Sequence, residues 1–322
     1  MTPFGITSSG DTVHALTLSA HGMTATFLTY GAILQDLRLD SLDHSLTLGS
    51  ERIEDYEGPI KYHGAIVGPV ANRLSGAKAV IDGIEHRFEP NLNGQHNLHS
   101  GSAGSHQKIW QVADVSPSQL TLTHSMPYGE GGFPANRVMT AAYEIVSGPT
   151  LRLTLTTTAD EPSIANATNH SYWNLDGSDH MRDHQIRIAA DHYLPTDGDT
   201  IPTGEVADVD DTAFDFQDWR RLVPDAPALD TTFCVARHRR AMTECLWLKG
   251  ANGVTMTVAS TEPAMHIYDG RAAPRPNAPV YEGIAIEAQG WPDAPNTPTF
   301  PSIEVTPDAP VVQVTEWRFS RA

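Results

Sequence analysis

Short segments in which apolar and polar side chains alternate, each closed by turn-forming residues, run through almost the whole chain. A period of two is typical of strands that bury one face. Residues 84–88 follow Asp82-Gly83, a pair that favours a tight hairpin turn, and residues 151–157 follow Ser147-Gly148. The final apolar segment, residues 311–319, predicts a long terminal strand.

Signals for helices are scarce, and residues 216–222 alone suggest a helix of one or two turns. The 25 glycines and 23 prolines interrupt the chain at short intervals, which favours an all-β sandwich or barrel over a Rossmann or TIM layout. Strand-like sequence resumes directly after the proline-rich loops at 274–279 and 292–301. We therefore expect one domain over residues 1–322.

The charge balance argues against nucleic acid as a partner, and the apolar pattern argues against a membrane span. The chain has 39 acidic and 21 basic residues, a net charge of −18, and its longest basic run is the short Arg237-His238-Arg239-Arg240. Nucleic acid is therefore not expected as a partner. No apolar run reaches the length of a membrane span, and the first residues lack the pattern of a signal peptide, so a cytoplasmic, membrane-free protein is expected.

The chain contains 15 histidines but no recognisable metal motif. His96 and His99 are three residues apart, yet they lie in a run of turn formers rather than on a helix. Cys234 and Cys245 match no zinc or redox spacing. The G-x-S-x-G motif of serine hydrolases is missing as well. We expect neither a metal nor a cofactor.

Two residues are candidates for proton transfer. Glu287 follows an apolar run and precedes a proline-rich loop, so partial burial should raise the pKa of its carboxyl toward that of a useful base. His170 lies among amides and aromatic residues, a setting that suits sugar hydroxyls and an imidazole titrating near neutral pH. Taken singly, each could equally be structural: a strand-end glutamate is often a surface charge, and a histidine among amides is often a hydrogen-bonded core residue.

Several further motifs occur in a fixed order: Tyr30-Gly31-Ala32, Ala71-Asn72-Arg73, Leu98-His99, Asn169-His170-Ser171-Tyr172-Trp173-Asn174, Tyr193-Leu194-Pro195, Leu229-Asp230 and Glu287-Ala288-Gln289. Each is weak alone. In this order and spacing they resemble the aldose 1-epimerase (galactose mutarotase) family, from about residue 30 to the end of the chain.

The resemblance implies a large antiparallel β-sandwich and an isomerase that interconverts the α and β anomers of a free, galactose- or glucose-like aldose. It implies Glu287 as the base and His170 as the acid, without cofactor or metal. The partner would be a small monosaccharide, and the chain would act as a monomer or homodimer. The residues implied in binding the sugar hydroxyls are Arg73, His99, Asp230 and Asn72.

The chain departs from the family pattern beside these residues. Pro69 stands where arginine is usual, and His96-Asn97 and Ser100-Gly101 replace other pairs. These departures leave the reaction type intact and make the preferred sugar uncertain. Trp173 and Trp291 are candidates for stacking on the sugar, although a core position is equally expected of each.

Three other functions remain open. A glycoside hydrolase on a similar sandwich would need two carboxylates, which Glu287 and Asp230 could supply. A family member could bind sugar without turning it over. A hexose-phosphate epimerase would want additional basic residues, which the charge of −18 and the absent arginine at Pro69 disfavour.

Overall fold

The computed structural model describes residues 1–321, and its regular structure consists almost entirely of strands. The one α-helix in this range is a single turn, α1 (Ile53–Tyr56). Isolated 3₁₀ turns occur at Ser75–Ala77, Gly101–Ala103, Ser105–Gln107, Glu130–Gly132 and Ala294–Asn296. The strands, in chain order, are β1 (Thr2–Ile6), β2 (Thr12–Ala20), β3 (Met23–Leu28), β4 (Leu34–Leu39), β5 (Ile66–Val67), β6 (Arg73–Leu74), β7 (Lys78–Ile81), β8 (Ile84–Arg87), β9 (Asn97–Leu98), β10 (Gln111–Val115), β11 (Gln119–Met126), β12 (Arg137–Val146), β13 (Thr150–Ala159), β14 (Ser163–Ile164), β15 (Thr168–Asn169), β16 (Tyr172–Trp173), β17 (Gln185–Ile188), β18 (His192–Leu194), β19 (Ala207–Asp208), β20 (Arg220–Arg221), β21 (Asp230–Cys234), β22 (Thr243–Lys249), β23 (Val254–Ser260), β24 (Ala264–Tyr268), β25 (Ile284–Gln289), β26 (Glu304–Val305) and β27 (Val311–Arg321).

Two large antiparallel sheets dominate the fold. The larger sheet has nine strands in the order β10-β11-β12-β13-β27-β23-β22-β17-β20. The smaller has six, in the order β16-β25-β24-β21-β18-β19. A four-stranded sheet, β1–β4, precedes them in the chain. The predicted terminal strand is confirmed as β27, which lies between β13 and β23 in the nine-stranded sheet.

The predicted hairpins are confirmed. Strands β7 and β8 pair directly across Asp82 and Gly83, whose φ angles of 49° and 75° are the positive values that a type I′ turn requires. Strands β12 and β13 pair in the same antiparallel manner around Ser147-Gly148. Local turn chemistry therefore determined these connections.

The predicted helix at residues 216–222 is wrong. Arg220 and Arg221 form β20, which pairs with the edge of the nine-stranded sheet at β17. The backbone N–H of Gln217 donates to the Asp215 carboxylate, and the Arg220 guanidinium donates to the carbonyls of Ala213 and Asp215. Side-chain bonds to the backbone and pairing at the sheet edge replace the helical hydrogen bonds.

The main apolar core lies between the nine-stranded and six-stranded sheets. Leu153 and Val258 from the larger sheet pack in one cluster with Ile267 and Ile286 from the smaller. Because side chains alternate along a strand, His266 and Glu287 must lie on the opposite face of the smaller sheet. In the range 1–321 no helix is long and apolar enough to cross a membrane.

Candidate active site

Strand register places polar residues in rows on the outer face of the six-stranded sheet. His266 on β24 is directly opposite Glu287 on β25 and Thr232 on β21. Asp230 is opposite Tyr268 in the next row of the same face. Three adjacent strands therefore bring together residues that are up to 57 positions apart in the sequence.

Loops from the first half of the chain cover this face and leave a cavity of about 280 Å³ above it. All six residues implicated by the sequence line this cavity, so the fold brings every one of them together. The lining residues are Pro59, Lys61, Tyr62, Asn72, Arg73, Leu98, His99, His170, Tyr172, Asp230, His266, Tyr268, Ala272, Ala273 and Glu287.

His170 and Glu287 form the buried centre of the cavity. Nε2 of His170 is 3.4 Å from Oε1 of Glu287, and the two side chains are 5% and 1% exposed. The His170 backbone donates to the carbonyl of Ala65, and its ring stacks between Tyr62 and Tyr172, with centroids 5.6 and 5.2 Å away. Nδ1 of His170 and Oε2 of Glu287 have no hydrogen-bond partner within residues 1–321. The pair is therefore fixed in place with polar atoms still available to a substrate.

Burial shifts the pKa values of Glu287 and His170 in opposite directions. Burial, followed by the charge of Asp230, raises the pKa of Glu287 well above its ordinary 4.5, against the opposing effect of Arg73. This confirms the expected direction for Glu287. Burial lowers the pKa of His170 to about 3, so the expectation that this imidazole titrates near neutral pH is wrong.

Asp230 links two cationic or potentially cationic side chains on the cavity wall. Arg73 donates from Nη2 to Oδ2 at 2.9 Å and from Nη1 to Oδ1 at 3.3 Å, a two-point contact. Nε2 of His266 lies 3.0 Å from Oδ1, and Nδ1 of His266 lies 2.8 Å from the Thr232 hydroxyl. Burial alone would raise the pKa of Asp230, but His266 and then Arg73 outweigh it and hold that pKa well below its usual value. Asp230 is thus a fixed carboxylate.

A tight loop pair orients His99. Asn72 and His99 flank the two-residue pairing of β6 with β9, and both adopt left-handed backbone, with φ of 63° and 52°. The Asn72 N–H donates to Nδ1 of His99 at 3.0 Å, and the His99 N–H donates back to the Asn72 carbonyl at 2.9 Å. Burial, then the charge of His170, lowers the pKa of His99 well below 6.5. His99 is therefore a neutral imidazole whose proton is on Nε2.

Comparison with known proteins agrees with this geometry. The family model "Aldose 1-epimerase" matches residues 14–317. Galactose mutarotase from Rattus norvegicus is 30% identical over 339 residues, covering 100% of this chain and 98% of the relative. Aldose 1-epimerase from Escherichia coli is also 30% identical, covering 92% of each. The chain belongs to the aldose 1-epimerase family.

Solved structures place the aldose 1-epimerase fold along the whole chain. An aldose epimerase homologue from C. elegans has a TM-score of 0.90 at 27% identity and covers 96% of this chain and 99% of its own. Galactose 1-epimerase from Lactobacillus acidophilus has a TM-score of 0.86 at 25% identity, with 100% and 98% coverage. The predicted antiparallel β-sandwich of this isomerase family is confirmed.

Three cavity aromatics of this aldose 1-epimerase family member were not predicted. Tyr62, Tyr172 and Tyr268 line the cavity, whereas the two suggested stacking residues, Trp173 and Trp291, lie in apolar clusters away from it. The stacking prediction is therefore wrong for both tryptophans. Each is buried against other aromatic rings, where a large apolar side chain is most stable.

His266 and Lys61 are polar cavity residues that the sequence did not predict as part of the site. For His266 a signal was present, because Ala264–Tyr268 alternates and places His266 with Tyr268 on one face. Its significance depends on the register with Glu287, which one strand alone does not reveal. Lys61 at the cavity wall was missed for a similar reason, since it lies in an irregular segment that carries no periodic pattern.

Three residues at which the chain departs from the family pattern do not line the cavity: Pro69, His96 and Ser100. Nδ1 of His96 accepts from the Gly76 N–H at 3.2 Å, and the Ser100 hydroxyl joins both the N–H and the carbonyl of Val70. Together with Asn97, which donates to the Glu89 carbonyl, these residues hold the loop that presents His99. Their effect on the sugar must therefore be indirect.

Within residues 1–321, no group of three or more His, Cys, Asp or Glu side chains is arranged to hold a metal ion. Cys234 and Cys245 are buried and not joined by a disulfide. Burial raises the pKa of both thiols to about 12, so both stay protonated at neutral pH.

Proposed function

We propose that this protein interconverts the α and β anomers of a free aldose, with Glu287 as the base and His170 as the acid. The observation that carries the proposal is the 3.4 Å contact between these side chains at the buried centre of a sugar-sized cavity. Relatives named galactose mutarotase support a galactose-like monosaccharide as substrate. The chain would act as one domain.

Ring opening requires one proton to leave the anomeric hydroxyl and another to reach the ring oxygen. Glu287 as carboxylate accepts the first, and protonated His170 supplies the second. The ring C–O bond breaks and leaves an open aldehyde, a neutral imidazole and a protonated carboxyl. After rotation about the C1–C2 bond, ring closure on the other face returns both protons.

The burial of the pair suits this reaction because the step converts an ion pair into a neutral pair. In water, the proton of such a pair resides on histidine, because the pKa of histidine is about two units higher than that of glutamate. Burial raises the pKa of Glu287 and lowers that of His170, so the neutral pair, with the single proton on Glu287, is more stable than the ion pair. Ring opening therefore takes the pair from its less stable, charged arrangement to its more stable, neutral one.

The other polar residues would hold the sugar while its anomeric carbon reacts. Nε2–H of His99 is a fixed donor, and the Arg73–Asp230 pair presents a donor and an acceptor in fixed geometry. Asn72 supports both, since its carbonyl oxygen Oδ1 accepts from Arg73 and its backbone N–H donates to His99. Tyr172 closes the wall behind His170.

Polarimetry of freshly dissolved sugar tests the proposal. The wild-type protein should accelerate the optical drift of α-D-galactose, α-D-glucose or α-D-xylose toward equilibrium. Glu287→Gln, which keeps the shape of the side chain, and His170→Asn should each reduce kcat by about 10²–10⁴-fold. Circular dichroism and thermal melts of each variant verify that the fold is retained.

The outcomes separate the alternatives. If either folded variant turns over at a near-normal rate, that residue is not part of the acid–base pair. Sugar binding without any acceleration of the drift would favour a binding protein. Release of an alcohol from a glycoside would favour a hydrolase.

A further inference from the structure

Lys61 is a cation at the wall of the active-site cavity that has no anionic partner. Among residues 1–321, its ammonium makes neither an ion pair nor a hydrogen bond. The other cation lining the cavity, Arg73, is engaged by Asp230. Lys61 is therefore the unsatisfied positive charge of the cavity.

Lys61 has no anionic partner in the described part of the chain, although the chain is strongly acidic. There are 39 acidic residues against 21 basic ones, yet none of the acidic side chains in residues 1–321 contacts Lys61. The acidic residues just before it in sequence are engaged elsewhere: Glu57 accepts from Ser8, and Asp55 accepts from the Ser50 hydroxyl. The local structure thus leaves this charge unneutralised.

Lys61 is placed at a fixed position relative to the reacting pair. Its Nζ lies 5.0 Å from the centroid of the Tyr62 ring, a cation–π contact that orients the side chain along the wall. The other ring neighbours of Tyr62 are His99, His106 and His170, with centroids 4.6, 4.8 and 5.6 Å away. One tyrosine ring thus separates the ammonium from the acid that protonates the sugar.

We propose that the substrate is an aldose that carries a carboxylate at the end remote from its anomeric carbon, a hexuronate, and that Lys61 binds this carboxylate. The inference rests on the proposed function, which puts the anomeric carbon beside Glu287 and His170. The remote end of a pyranose then extends away from that buried pair toward the cavity wall. One unpaired ammonium matches the single charge of a carboxylate better than the nearly double charge of a phosphate.

Paired substrates test this inference. The probes are α-D-galacturonate, its methyl ester, α-D-galactose and D-galactose 6-phosphate, each followed by polarimetry. The ester removes the charge and keeps the ring stereochemistry. We expect kcat/KM for galacturonate to exceed that for the ester by roughly threefold to tenfold, because a partly exposed ion pair has a modest effect. The difference should shrink in about 0.5 M salt, which screens the pair.

Three variants identify the residue. Lys61→Gln should remove the preference for galacturonate over the ester, mainly through KM, and Lys61→Arg should retain most of it. Lys249→Gln is the matched control, since Lys249 is exposed on β22 and makes no ion pair within residues 1–321. This control should leave the kinetics of both sugars unchanged.

The results distinguish failure of this inference from failure of the proposed function. If galactose and the ester turn over but galacturonate has no advantage, or Lys61→Gln keeps the advantage, the inference is overturned and the mutarotase function stands. A Lys61-dependent preference for galactose 6-phosphate over galacturonate would overturn the carboxylate in favour of a phosphate. If none of the four sugars responds, the proposed function itself fails.

Discussion

The protonation of Glu287 and His170 depends more on burial than on the charges around them. Burial is the largest influence on the pKa of each residue, and it raises one and lowers the other. Both shifts disfavour the charged forms, as expected for groups that have lost contact with water. The pair therefore binds a second proton only at a pH below the ordinary pKa values of both residues.

This proton count predicts an unusual pH profile. The active form holds one proton, and uptake of a second is opposed because burial lowers the pKa of His170 to about 3. We expect no acid limb in kcat/KM between about pH 6.5 and about pH 5, the range in which an ordinary histidine gains its proton. Loss of the single proton should produce an alkaline limb that lies above the usual pKa of Glu287. An acid limb between about pH 5 and about pH 6.5 in polarimetric rates would contradict this expectation.

Asp230 is expected to act in binding rather than in proton transfer. Its pKa is held low by His266 and Arg73 against the effect of burial, so it remains a carboxylate throughout the working pH range. Asp230→Asn should raise KM about tenfold or more, with a smaller change in kcat, because it weakens a two-point contact that orients Arg73.

Steady-state polarimetry of Asp230→Asn separates the two parameters. Asp208→Asn is a suitable control, because Asp208 is exposed on β19 and pairs with His192 outside the cavity. A loss confined to kcat in Asp230→Asn, with KM unchanged, would instead give Asp230 a direct chemical role.

Sequence reasoning found the residues whose motifs are local and missed those that depend on register. Asn72 and Arg73 are adjacent in one short motif, and His170 lies within another, so each could be located from the sequence. His266 contributes to the site only because β24 lies beside β25, and Lys61 because its loop covers the sheet. Such juxtapositions arise from tertiary packing.

Packing of strand β25 against the core fixes the position of Glu287. Its alternate residues, Ile284 and Ile286, pack in the core, so Glu287 is held by a strand anchored on its other face. Gly283 just before this strand has little space around it. A Cβ there would lie 2.7 Å from Cδ1 of Leu48 and 2.9 Å from the Trp173 carbonyl oxygen.

Gly283→Ala should therefore displace the start of β25. We expect a loss of about 1–3 kcal/mol in the free energy of unfolding, as for other overpacked sites, together with a lower kcat. Gly198→Ala is the matched control, because nothing lies within 4 Å of a Cβ at that glycine. Denaturant melts of both variants measure the free energy of unfolding, and polarimetry measures kcat. Equal stability of the two variants would show that β25 has room to adjust.

Elements with a strong local sequence signal were predictable. Elements in which a weak local preference competes with tertiary strand pairing were not. Asp82-Gly83 requires positive φ and fixes its hairpin. Residues 216–222 contain no such signal, and their weak helical pattern is overridden by pairing of Arg220 and Arg221 with a sheet edge. The loops that line the cavity also lack a local sequence signal. Ala272 and Ala273, directly before Pro274, line the cavity, and nothing in their sequence predicts this position.

At the scale of the whole molecule, one apolar layer joins the sheet that carries the site to the larger sheet behind it. The cluster includes Leu246 and Val258 from the nine-stranded sheet and Ile267 and Ile286 from the six-stranded one. Such a shared layer should make the two sheets unfold together, because neither can separate without exposing the apolar face of the other.

Leu246→Ala tests this coupling. Leu246 is fully buried on β22, remote from the cavity, so its truncation should reduce the free energy of unfolding by about 2–5 kcal/mol. The kcat of the folded protein should be unchanged, because the site residues lie on the other face of the other sheet. Val312→Ala is the control, since Val312 on β27 is 47% exposed and should lose little stability. Denaturant unfolding followed by tryptophan fluorescence and by residual activity should give one coincident transition in each protein. Two separated transitions would mean that the sheets unfold independently and that the chain contains more than one domain, because a single cooperative core cannot lose its halves in sequence.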